Sequence, residues 1–156
     1  MNNIQSLLKK DSFLVEPSLP FGSLEINFLD SLSKDLISNK KARSFPDIIA
    51  FAFWCRKKNI IKIKSKLSSK ELRVGLGSIF HITPSNVPLN FAYSFAFGLL
   101  TGNSNLVKLP SQNFLQTKIV CLSINNLMKK KKFRIFGRKN FFFKYGSENK
   151  NITKEI

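Results

Sequence analysis

The chain holds a single histidine, two cysteines and only nine acidic residues. One histidine excludes the usual His-rich metal site. Cys55 and Cys121 stand far apart, with no CxxC spacing and no His or Cys neighbour, so no metal is expected. Two isolated cysteines predict a reduced, cytoplasmic chain. No stretch approaches the roughly 20 uninterrupted apolar residues of a membrane span. The opening MNNIQSLLKK puts its charge after a short apolar piece and offers no small-residue cleavage site, which argues against a secretory signal. No Walker A pattern and no GxGxxG occur, and Gly75-x-Gly77 precedes its strand instead of following it. Alanine is scarce while Lys, Asn, Ile and Phe abound, the bias that a low-GC genome writes.

What is present suffices for one folded domain. The 156 residues are 43% hydrophobic and 22% charged, outside the composition of disordered chains. Lys and Arg dominate so strongly that the formal net charge is +17, which makes an anionic partner worth weighing.

Pro17, Pro20 and Gly22 make residues 1–27 irregular. Phe28, Leu29, Leu32, Leu36 and Ile37 then predict an amphipathic helix with Asn27 as its N-cap. A second helix is expected from Ser44-Phe45-Pro46-Asp47 through IIAFAFWCRKK, since Pro fits the first turn and Asp47 suits the positive end of the dipole. Residues 59–70 fit either a strand or a helix end. After them come a strand over 73–83, a turn at PSNVP, a helix from about Asn90 to Leu100 closed by Gly102, and a strand at LVKLP. A helix over 112–128 and a third strand, NFFFKY, stopping at Gly146, complete the order β-α-β-α-β. Strands joined by helices of this length predict a parallel sheet, the first half of a doubly wound, Rossmann-like α/β domain over 73–156 behind a helical leader over 1–72.

Ligands of open α/β sheets bind outside the carboxyl ends of the strands. The loop Thr83-Pro84-Ser85-Asn86-Val87-Pro88 lies at such an end, braced by two prolines. An amide held there is suited to stabilising an oxyanion, because the donor must be aimed before charge develops. The alternative is an Asn that satisfies its own turn. Lys108 and Ser111 end the second strand, where a flexible ammonium can reach a ribose or phosphate; a solvated surface lysine is the alternative. His81, between Phe80 and Ile82, fits a hydrogen-bonded core residue, and Cys55 and Cys121 fit packing residues.

The segment GSIFHITPSNVPLNFAYSFAFGLLTGNSNLVKLPSQ resembles the aldehyde dehydrogenase superfamily, and within it the acyl-CoA reductase family, whose luminescence members supply aldehyde to bacterial luciferase. Gly77 matches the lead-in glycine. Pro84-Ser85-Asn86-Val87-Pro88 stands for Pro-Trp-Asn-Phe-Pro, and Gly102-Asn103 and Lys108-Leu109-Pro110-Ser111 follow with one extra residue before the proline. FPDIIAFAFWCRKKNI and NFFFKYGSENKNITKEI are similar to the same branch, so the likeness spans about residues 26–156. It implies NADPH-dependent reduction of long-chain fatty acyl-CoA to aldehyde through an acyl-cysteine. Asn86 becomes the oxyanion donor, and Thr83, Pro84, Ser85, Lys108 and Ser111 the cofactor contacts. Acyl-protein synthetase and acyl transferase partners, and an oligomeric full-length form, follow from the family.

The family's nucleophilic cysteine lies in a later catalytic domain, and neither Cys55 nor Cys121 occupies its place. The chain is therefore expected to be the amino-terminal third of a reductase, inactive alone. Low solubility is expected too, with an uncovered sheet edge and FAYSFAFGLL partly bare. Two rival readings remain. The run Lys129-Lys130-Lys131-Lys132 with Arg134, Arg138 and Lys139, interleaved with Phe133, Phe136 and Phe141, suits nonspecific nucleic-acid binding, although no specific recognition motif accompanies it. A structural docking subunit is the other.

Overall fold

The computed structural model describes residues 13–67 and 71–144. In chain order they form α1 (Ser23–Ser38), α2 (Pro46–Trp54), α3 (Lys57–Lys66), β1 (Ser78–Ile82), α4 (Asn90–Leu100), β2 (Ser104–Lys108), α5 (Leu115–Met128), the single turn α6 (Phe136–Lys139) and β3 (Asn140–Phe143). The strands make one parallel sheet in the order β1-β2-β3. The expected β-α-β-α-β order is therefore present, as a partial Rossmann-like α/β fold. Among the described residues, no helix is long and apolar enough to cross a membrane.

Several boundaries differ from expectation. The first helix begins at Ser23, five positions before Phe28, and Gly22 precedes it in place of Asn27. Asn27 sits inside the helix, where its backbone carbonyl accepts the Ser31 hydroxyl at 2.8 Å. The Pro46 helix stops at Trp54 instead of running on through the basic residues. Residues 57–66 resume as α3, so the alternation of Ile61, Ile63, Lys62 and Lys64 belongs to a helix and not a strand. Asp30 of α1 starts that helix from outside, its Oδ1 accepting the Lys57 N–H at 2.9 Å. The first strand is confined to 78–82, and the second starts at Ser104, before the LVKLP run. Tyr145 and the stop at Gly146 lie outside the described residues, as do residues 1–12.

One apolar cluster joins the leader helices to α4 and α5, with Phe28, Leu29, Leu32 and Leu36 of α1 fully buried in it. FAYSFAFGLL is thus mostly covered, contrary to expectation: Phe91, Ala92, Phe95, Ala96, Leu99 and Leu100 are buried, and Phe97 is the large residue left exposed. The more open surface is the sheet's own far side. On the α4 side, Phe142 packs edge-on against Phe91 and Phe95. Phe80, Leu106 and Phe141, which alternate to the other side, are only half-buried. Gly102 closes α4 at φ +81, and a Cβ there would run into the Ser18 carbonyl, so both conformation and space require glycine.

Candidate functional site

The first two strands end side by side. Register pairs Ile82 with Lys108, so the loops that leave β1 and β2 share one edge of the sheet. The Thr83 hydroxyl donates to the Lys108 carbonyl at 3.4 Å, a long contact that marks closeness more than strength. At the far end of the loop, the Thr117 hydroxyl of α5 donates to the Pro88 carbonyl at 2.7 Å. The loop is thus anchored at both ends. Between those anchors Pro84, Ser85 and Asn86 are exposed, and Asn86 makes no hydrogen bond among the described residues.

Lys108 is the last residue of β2 and half-buried. The extra residue after it, Leu109, is buried, and its N–H donates to the Phe143 carbonyl at 2.8 Å, so the insertion is absorbed by prolonging the β2–β3 ladder. Ser111 is exposed on the same loop as Pro110, which is buried. Lys144, just past β3, donates to Asn113 Oδ1 at 2.7 Å and adds a cation next to this loop that the sequence motifs do not point to. No acidic residue occurs between Glu71 and Glu148, so the two strand-end loops themselves contribute no carboxylate; the nearest one identified, Asp47, comes from the leader and lines the cleft beside Val87 and Pro88. Hydroxyls, an amide and lysines are a donor set that fits a phosphorylated dinucleotide. Beside the loop, a cleft of about 370 Å³ is lined by Ala50, Val87, Pro88, Leu89 and Tyr93 together with the polar Asp47 and Asn90.

Beneath the site runs a buried polar chain that periodicity could not reveal. His81 Nδ1 lies 2.6 Å from Ser94 Oγ of α4, and its Nε2 lies 2.8 Å from Asn105 Oδ1. Asn105 Nδ2 donates to Asn140 Oδ1 at 2.6 Å and to the Asn103 carbonyl at 3.0 Å. Asn140 in turn donates to the Phe136 carbonyl at 2.9 Å. Because both amide hydrogens of Asn105 are used, its oxygen must accept, which places the His81 proton on Nε2 and lets Nδ1 accept from Ser94. The neutral ring is thereby fully satisfied. Gly98 permits the close approach of α4: a Cβ there would meet the Asn105 amide and His81.

Burial holds the His81 pKa below its ordinary 6.5, opposed by the Asn105 hydrogen bond. Below about pH 6.5 the unfolded chain takes up a proton that the folded chain resists, so stability is full above that pH and declines beneath it. Urea unfolding should therefore show an unchanged midpoint from neutral to mildly alkaline pH and a lower one near about pH 5. With one histidine in the chain, His81→Phe should flatten that slope. A slope that persists in this variant would assign it elsewhere.

The cysteines are equally plain. Burial pushes the Cys55 thiol well above its usual range and the Cys121 thiol up to about 12. Neither is a thiolate near neutrality, and thiols are poor nucleophiles. The aromatic half of the nucleic-acid reading also meets an obstacle. Phe133 and Phe136 are buried against Phe28, with ring centroids 5.2 and 5.0 Å from it, and Phe141 packs on Phe13. Lys139 is buried as well.

The family model for acyl-CoA reductase (LuxC) matches residues 62–135. Comparison with curated proteins and with solved structures finds no significant match. The matched stretch is narrower than residues 26–156, leaving out FPDIIAFAFWCRKKNI and NFFFKY. It does take in β1, α4, β2, α5 and every candidate site residue from Thr83 to Ser111. Over residues 62–135, the chain is matched by the acyl-CoA reductase family, the one its strand-end motifs resemble.

Proposed function

We propose that the chain carries the nucleotide-binding and oxyanion-stabilising part of an NADPH-dependent reductase that converts long-chain fatty acyl-CoA to fatty aldehyde. The observation that supports this reading best is the shared sheet edge, where the anchored Thr83–Pro88 loop and the Lys108–Ser111 loop leave neighbouring parallel strands. Lys108 and the Ser85 and Ser111 hydroxyls hold the ribose and phosphates, while Thr83 and Pro84 fix the loop over them. Asn86 Nδ2 donates to the acyl oxygen as it gains negative charge. The cleft along Val87 and Leu89 receives the start of the acyl chain. When bound, NADPH supplies the hydride that reduces the acyl thioester, releasing aldehyde and regenerating a thiolate.

That thiolate belongs to neither Cys55 nor Cys121, both of which stay protonated. The acyl-transfer step therefore needs a cysteine beyond these two, and the chain on its own is proposed not to turn over. A binding assay tests the reading without catalysis. NADPH titrated into the chain and followed by its fluorescence should bind. Lys108→Ala should weaken it about 10–100-fold, the loss of one charge-assisted hydrogen bond, and Asn86→Ala should leave it nearly unchanged. NADPH affinity that is absent, or indifferent to Lys108, would refute the assignment.

A further inference from the structure

The exposed face of α5 is not used by the reading above. Leu115, Lys118, Leu122, Asn125 and Lys129 fall on one stripe at helical spacing, and all are exposed, Leu115 at 53% and Leu122 at 60%. Past the helix end, Lys130, Lys131, Lys132, Arg134 and Arg138 continue the exposed cationic surface. Beside the stripe runs a groove of about 480 Å³ between α5 and β3, with Leu109, Phe141 and Phe142 in its wall and Lys118 and Lys129 at its rim. Every charged residue between Glu71 and Glu148 is basic, and among the described residues Lys118, Lys129, Lys130, Lys131, Lys132, Arg134 and Arg138 make no ion pair.

Leucines set between lysines on a solvent-facing stripe, backed by an unneutralised basic run, are the pattern of a helix that lies in a lipid–water interface. We propose that this face docks on an anionic membrane surface, Leu115 and Leu122 entering the acyl boundary while Lys118 and Lys129–Lys132 meet the lipid phosphates. A nucleic acid fits less well. Phosphate neutralisation has no use for exposed leucines, and two of the phenylalanines next to the cations, Phe133 and Phe136, are buried away from any base.

Co-sedimentation of the full chain with vesicles tests this, with phosphatidylcholine alone compared with equal parts phosphatidylcholine and phosphatidylserine. The chain should pellet with the mixed vesicles and not with phosphatidylcholine alone. Each lysine of Lys129–Lys132 changed to Gln should weaken the association about fivefold. Leu115→Ser with Leu122→Ser, both at exposed positions and checked for an unchanged circular dichroism spectrum, should weaken it about tenfold at constant charge. Three results would overturn the proposal: no association with the mixed vesicles, association indifferent to the leucine pair, or tight binding to duplex or single-stranded DNA without vesicle binding. The assay contains no nucleotide, so its outcome is independent of NADPH binding.

Discussion

Phe28→Ala is expected to lower the unfolding free energy by about 3–5 kcal/mol. Phe28 is fully buried on α1, and its ring meets Phe95 of α4 at 6.4 Å, Phe133 at 5.2 Å and Phe136 of α6 at 5.0 Å, all edge-on. Those three partners come from the sheet-building part of the chain, so this one side chain ties the leader helix to it. Truncation removes the transfer energy of the ring and leaves a cavity that three other phenylalanines cannot fill without leaving their own contacts. Urea titration gives the number directly. At this chain length it corresponds to a melting point about 10 °C lower. A loss below about 1.5 kcal/mol would show that the leader and the sheet are held together by something other than this cluster.

Asn105→Ala is the second large effect. Its amide lies fully buried in the central strand and satisfies His81 Nε2–H, Asn140 Oδ1 and the Asn103 carbonyl together. Removing it strands three polar groups in the interior, each costing about 1–3 kcal/mol, in a network where the losses do not simply add. A total near 3–5 kcal/mol is expected. The pH response sharpens the test. Without the Asn105 acceptor, the hydrogen bond that opposes His81's desolvation is gone, so its folded pKa falls further and the acid-side loss of stability extends to lower pH. A variant as stable as the parent would mean that water replaces the amide, which would make this interior wetter than its burial suggests.

The parallel β-α-β-α-β order was legible because each element announces itself locally: α4 and α5 by spacing, the strands by short β-branched or aromatic runs, and Gly102 by its position after a helix. The strand-end loops acquire a candidate role only through the family motifs, since Asn86 and Lys108 taken alone suit ordinary turn and surface roles as well. What could not be read depends on contacts between distant positions. Asp30 caps a helix 27 residues further on. That remote carboxylate gives a stretch that alternates like a strand a helical start. The helix from Ser23 includes Glu25 and Asn27, polar residues that the apolar spacing placed outside. His81, Asn105 and Asn140 each look like isolated polar residues in apolar strands. Only the parallel register brings them into one hydrogen-bonded row, and Gly98 acquires its meaning from that row.

Amide hydrogen exchange on the chain with and without NADPH tests the central claim most directly, because it reports where the nucleotide acts and not merely whether it binds. Slowed exchange confined to residues 83–88 and 108–113 is the predicted result. Protection that falls instead on residues 129–139, or on no segment at all at nucleotide concentrations that saturate a reductase, would contradict it.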